Sequence, residues 1–137
     1  MTYADFLARK TRRHTDDGFD LDNLPASLFH HQADVVRWAA RKGRAAAFLD
    51  TGLGKTRIQL AWADAMRRDG RALVICPLSI AKQTQREAAA LDLDARIVRH
   101  GDDVTGPGIY IANYDQFRSA VRKLCSRWRR KHGTSET

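Results

Sequence analysis

The stretch Thr51-Gly52-Leu53-Gly54-Lys55-Thr56 constrains this 137-residue chain more than any other. The apolar run Ala45–Leu49 precedes it at strand length, and Asp50 joins the two. Helical periodicity resumes from Lys55 to about Arg68, and Gly70 closes it. A strand, a glycine turn and a helix in immediate succession bring many backbone donors to one point. Gly52 and Gly54 let the chain turn so that its N–H groups face inward as an anion nest. The start of the helix adds its positive end. With a lysine and a threonine in the next two positions, the cradle Thr51–Thr56 suits a nucleoside triphosphate: Lys55 would reach the β- and γ-phosphates, and the Thr56 hydroxyl would ligate Mg²⁺. The longer pattern G-x-x-x-x-G-K-[ST] is not met, because position 49 is leucine.

The remaining pattern alternates in the same way. Ser27 is placed to cap a helix carrying Leu28, Val35, Val36, Trp38 and Ala39, which Gly43 ends. Ala72–Cys76 reads as a buried strand stopped by Pro77, and Ser79 as the cap of a helix running to about Leu91. Ala95–Arg99 and Gly108–Ala112 read as two more strands, with a polar loop at Gly101–Pro107. From Tyr114 the pattern is helical to about Trp128, and a short helix is expected at Tyr3–Arg12. Strands alternating with helices predict an α/β fold, a mainly parallel sheet with helices on its faces.

Composition bounds the rest. Hydrophobic residues at 43% and charged residues at 29% are those of a folded globular protein. No apolar run approaches the roughly 20 residues that span a bilayer. The start MTYADFLARK has no secretory h-region, and Cys76 and Cys125 have no metal-ligand spacing, so a cytoplasmic protein is expected. The net charge of +8 is unevenly placed: residues 1–117 hold 17 Lys/Arg against 15 Asp/Glu, while 118–137 hold seven against Glu136 alone. Such a tail can grip phosphates or be merely solvated.

Several segments, taken in order, resemble superfamily 2 helicases, in particular the SNF2-like branch. Phe48–Thr56 is similar to its motif I, where G-L-G-K-T is usual. Leu28-Phe29-His30-His31-Gln32, followed by Val36 and Trp38, resembles the segment L-R-P-Y-Q-x-x-G-V-x-W. There the glutamine lies just over twenty residues before the motif I lysine, as Gln32 does, and an amide can satisfy both edges of adenine. Leu73–Ser79 with Gln83 and Glu87 is similar to motif Ia, and Ile109–Asp115 to the segment I-x-I-T-N-Y-E, with Ala112 in place of the threonine. The resemblance implies a P-loop NTPase of RecA-like fold, present as a partial parallel sheet flanked by helices. It implies ATP and Mg²⁺ as cofactors, duplex DNA as partner through Pro77, Leu78, Ser79, Asn113 and Tyr114, and a second RecA-like domain in full-length relatives. Compact phage and prophage helicases are the nearest type.

The resemblance implies three regions: an N-terminal extension (1–24), a partial helicase ATP-binding domain (25–117) and a divergent basic tail (118–137). Hydrolysis needs an acidic pair for Mg²⁺ and an arginine for the transferring phosphoryl group. The family's D-E-x-x motif does not occur in the sequence; Asp50, Asp102-Asp103 and Asp115 lie in the wrong settings. The expectation is therefore an ATP-binding chain, shortened before the acidic motif, with no catalytic residue of its own and limited stability. An alternative is a non-catalytic nucleic-acid-binding protein that uses the tail. His30 and His31 read as helix surface, Trp38 and Trp62 as core, and Trp128 as an optional stacking group.

Overall fold

The computed structural model describes residues 2, 3, 5 and 16–117. The helix expected at Tyr3–Arg12 lies largely outside them, and the basic tail with Cys125 and Trp128 wholly so. The elements run α1 (His30–Lys42), α2 (Lys55–Arg67), β1 (Arg71–Ile75), α3 (Leu78–Ala89), β2 (Ala95–Ile97) and β3 (Gly108–Ala112). The three strands form one parallel sheet in the order β1-β3-β2. Its register pairs Val74 with Ile111 on one side of β3, and Ile97 with Ile111 on the other. The architecture is thus α/β, as the alternating pattern predicts.

β3 lies between the other two strands, and Ile109, Tyr110, Ile111 and Ala112 are all buried. On one face Ile109 and Ile111 join Leu60 and Ala63 of α2, Val74, and Ala81 and Ala88 of α3. On the other face Tyr110 and Ala112 meet Val98 and Val104, which belong to the connection between β2 and β3. Among the described residues, helices cover one face of the sheet only. The second face is closed by that connection, which is too short for a helix and holds a single 3₁₀ turn at Gly101–Asp103.

Tyr110 fixes this cover. Its ring is buried, and its hydroxyl donates to the Gly106 carbonyl at 2.7 Å while accepting from the Gly106 N–H at 3.1 Å. The Arg71 Nε also donates to Gly106 O, at 2.8 Å.

Three expectations need correction. Ser27 and Ser79 do not cap. Ser27 lies in a turn ahead of α1, and the helix starts after Phe29, whose N–H is taken by the Gln32 side chain at 3.1 Å. Ser79 falls inside the first turn of α3, because Pro77 already takes the N-cap position. Ala45–Leu49 is not a strand: no described strand lies beside it, so its backbone enters no ladder, and Phe48 is 97% exposed. Only Leu49 packs, against Val36, Ile58 and Ala61. An apolar hollow of about 320 Å³, lined by Ala47, Leu49, Ile58 and Trp62, separates this segment from α2. Finally, Trp38 is 45% exposed and is not core.

Residues 16–24 are better fastened than an extension implies. Gly18 N–H bonds Arg41 O at 3.0 Å, Asp20 pairs with Arg41, and Asp16 pairs with Lys42. A Cβ on Gly18 would lie 1.7 Å from the Ala40 carbonyl, so only glycine permits this approach. Leu21 and Leu24 pack on Val36, Ile58 and Ala61.

Tyr110→Phe removes the hydroxyl and leaves the Gly106 amide without it. A loss of about 1–2 kcal/mol is expected in urea unfolding with an unchanged m-value. An unaltered midpoint would show that the β2–β3 connection is held by other means.

Candidate functional site

The glycine turn sits at the start of α2, and Gly54 is its N-cap, in the left-handed region at φ 75° and ψ 38°. Gly52 is also left-handed, at φ 82°. The two positive-φ residues turn the backbone sharply enough to begin a helix of 13 residues directly. No side chain caps α2 and no acid lies in its first turn, so its positive end faces outward uncompensated. A Cβ on Gly52 would meet nothing within 4 Å, so the space beside this backbone is open. Gly54 is the opposite case: a Cβ there would lie 2.3 Å from Gln32 Nε2.

Gln32 therefore belongs to the turn physically. It is 2% exposed; its Oε1 accepts the Phe29 N–H, and its Nε2 donates to the Leu53 carbonyl at 3.3 Å. The His31 Nε2 reaches the same carbonyl at 3.4 Å. Sequence spacing alone makes Gln32 an ordinary helix residue, whereas the fold places it under the glycine turn. One amide hydrogen and one oxygen lone pair remain for another partner.

Lys55 is exposed, and its ammonium is held over the entry to the turn. Its Nζ donates to Leu49 O at 3.1 Å and Asp50 O at 2.9 Å. Asp50 Oδ1 accepts the Thr51 N–H at 2.8 Å. These bonds fold the chain back before the glycines, so that Thr51, Gly52 and Leu53 form an exposed arch. Thr56 follows on the first turn of α2, half-buried.

The sheet defines where this arch lies. A short connection, Arg68–Gly70, reverses the chain from α2 into β1, and α2 packs on β1 and β3. The start of α2 consequently faces the end of the sheet where the parallel strands finish. Ligands of open α/β sheets bind in that region, outside the carboxyl ends of the strands. Pro77, Leu78 and Ser79 follow β1 at this end, and Asn113 and Tyr114 follow its neighbour β3. The fold thus brings the two segments together. Pro77, Leu78 and Ser79 are exposed, and Tyr114 is 68% exposed.

Asn113 differs: it is buried, and its Oδ1 accepts the Gln116 N–H at 2.8 Å. It caps the helical turn that starts at Tyr114. An asparagine three residues before a glutamine is a cap signal legible in the sequence.

The candidate acids have other engagements. Asp103 Oδ2 accepts the N–H groups of Arg99 at 2.8 Å and His100 at 2.9 Å. Those two donors hold its carboxyl below the usual carboxylate range, the His100 amide being the stronger cause. Among the described residues no three His, Cys, Asp or Glu side chains gather as a metal site. Cys76 is buried at the end of β1, as expected, and His30 and His31 are exposed.

The fold and site together define a class: a parallel α/β protein with an open, donor-rich glycine turn at the head of a helix. Comparison with known protein families, curated proteins and solved structures finds no match to this chain. The functional reading consequently rests on the geometry and on the sequence motifs.

Two outcomes test the site's construction. Gly54→Ala places a methyl against Gln32 Nε2 at positive φ, and a loss exceeding about 1 kcal/mol is expected. Adding Gln32→Ala removes the clash, so the two changes should couple by about 0.5–3 kcal/mol in a double-mutant cycle; strict additivity would place Gln32 away from the turn. For Asp103, the folded pKa is depressed, so its support of the 99–103 turn is complete above the unfolded value and is lost as pH falls through the lower folded one. Amide exchange of Arg99 and His100 across that acid range reads it out, and Asp103→Asn should remove the pH dependence.

Proposed function

We propose that this chain is the ATP-binding part of a DNA-dependent ATPase of the SNF2-like helicase and translocase type, formed on a RecA-like fold. One observation carries the reading: two left-handed glycines open a long uncapped helix whose first residues are Lys55 and Thr56, and Gln32 is seated against that turn. Phosphate oxygens require several N–H donors without side chains between them. Open space at Gly52 and the uncompensated start of α2 fit that requirement.

In this reading Gly52, Leu53 and Gly54 offer backbone donors, Thr51 adds its own only by releasing the Asp50 carboxylate, and Lys55 exchanges its bonds to the Leu49 and Asp50 carbonyls for the β- and γ-phosphates. An adenine contact by Gln32, as the resemblance implies, requires its buried amide to leave the Leu53 carbonyl, which would couple base binding to the glycine turn. Among the described residues no cluster of acids, histidines or cysteines forms a metal cage, so Mg²⁺ fits here as an ion carried by the triphosphate with Thr56 beside it. When bound, Mg²⁺ neutralises charge on the β- and γ-oxygens. Pro77, Leu78, Ser79 and Tyr114 face duplex DNA at the carboxyl end of the sheet, while Asn113 positions Tyr114 by capping the turn that carries it.

The sequence contains no acidic pair on a strand end, and the nearest acids are committed to backbone N–H groups. Binding without turnover follows for this chain by itself, with the acids and arginine finger belonging to other sequence, including a second RecA-like domain.

Lys55→Ala should abolish binding of an ATP analogue measured by calorimetry, with the melting temperature of the protein little changed. Unchanged affinity would sink the reading. Turnover should be negligible, and a DNA-stimulated rate of about 1 s⁻¹ or more, ordinary for an enzyme, would show that an acid has been overlooked.

A further inference from the structure

Cations accumulate beside the motif residues Leu78 and Ser79, on a part of the surface that extends beyond them. A groove of about 950 Å³ runs from Leu78 and Ser79 along α3 to the residues that follow β2. Lys82 and Arg86 enter it from successive turns of α3, and Arg96, Arg99 and His100 from the opposite wall. Among the described residues no carboxylate lines it. Arg96 is answered by Asp94 at 2.8 Å and lies over the Tyr110 ring. Lys82, Arg86 and Arg99 are exposed and make no ion pair or side-chain hydrogen bond among the described residues.

The groove is built rather than frayed. Lys82 and Arg86 are four apart on a helix whose opposite side, Ala81, Thr84 and Ala88, is buried in the core. Asp103 clamps the backbone of Arg99 and His100, fixing where their side chains leave the sheet. The uncapped start of α3 opens at one end of the groove and adds its positive dipole. Elsewhere on the described fold Arg37, Arg41, Lys42 and Arg67 each pair with an aspartate, whereas Arg44 and Arg57 stand singly, without an ion pair and outside any groove of like charges. Lys82 and Arg86 without an ion pair, and Arg99 whose nearest acid, Asp103, is engaged with backbone N–H groups, form a walled row that suits a regularly charged chain better than a single small anion.

We propose that Lys82, Arg86 and Arg99 form a phosphate track for duplex DNA, extending the contact surface from Leu78 and Ser79 sideways across α3. This rests on the DNA partner of the preceding reading but on different residues from its motifs. The contacts are to backbone phosphates, so the track sets affinity and orientation and carries no base preference.

The test is fluorescence anisotropy of a labelled 20-base-pair duplex with the full chain, over a series of KCl concentrations. Each of Lys82→Ala, Arg86→Ala and Arg99→Ala should weaken binding equally for unrelated sequences. Each should lower the slope of log affinity against log salt by about 1, and the triple variant by nearly 3. ATP-analogue affinity should stay at the parent value in all of them. A triple variant with the parent slope overturns the track, as does a loss seen with heparin but not with DNA. Because the three side chains are exposed, single variants that melt with the parent protein supply the readout even where the triple does not fold. Failure of the nucleotide reading shows separately, as unaltered ATP affinity in Lys55→Ala.

Discussion

Gln32 holds together the two parts of the molecule on which the site depends. Its amide is removed from water and joined at one end to the Phe29 N–H and at the other to the Leu53 carbonyl. A buried amide left without partners is costly, of the order of 1–3 kcal/mol, so each bond makes the other necessary. The first bond begins α1 and the second fixes the glycine turn that begins α2. Gly54 lacks a side chain because this amide occupies the place where one would stand. The left-handed turn, the direction of α2 and the position of Lys55 over Leu49 and Asp50 all follow from that packing.

The sheet supplies the other constraint, through β3. Its two neighbours are parallel to it, and its side chains are buried on both faces. Covering the second face falls to a short connection, and Tyr110 compensates by binding both backbone groups of Gly106. The same connection carries Arg99 and His100, so the arrangement that closes the core also sets one wall of the basic groove. Among the described residues β1 by contrast is an edge, and the indole Nε1 of Trp62, which lies between β1 and the Ala45–Leu49 segment, is buried without a hydrogen-bond partner. An unpaired strand edge beside an apolar hollow is a surface suited to receive another strand.

Much of this was legible in the residues, and the exceptions have physical reasons. Ala72–Cys76 and Gly108–Ala112 are continuous β-branched and apolar runs of strand length, and both are strands within a residue. Ala45–Leu49 has similar apolarity, but a strand is a property of a pair, and it forms no ladder with any described strand. Ser27 and Ser79 have the chemistry of caps, yet Gln32 and Pro77 fix the helix starts elsewhere, which depends on tertiary position. The glycine turn was legible because positive φ is written into glycine itself. The seat of Gln32 beneath it was not, since a spacing of just over twenty residues says nothing of contact until a family resemblance is invoked. The basic groove was hidden for a different reason: Lys82 and Arg86 share a helix face, but Arg99 joins them only through the crossover from α3 into β2.

These features separate holding a triphosphate from cleaving it. Holding needs backbone donors, a helix end and one cation, all of which come from a single continuous stretch, Thr51–Thr56. Cleavage needs groups that converge from distant strands and, in the resemblance, from another domain. A turn of this kind can therefore keep its full geometry where the convergent groups are missing. Two of the candidate aspartates are each committed to a turn of their own, Asp50 to Thr51 and Asp103 to Arg99 and His100. Recruiting either to a metal would dismantle local backbone structure on which Lys55 or the basic groove depends. Under the proposed reading the chain binds nucleotide and polyanion, and the hydrolytic step depends on residues beyond the Thr51–Thr56 stretch.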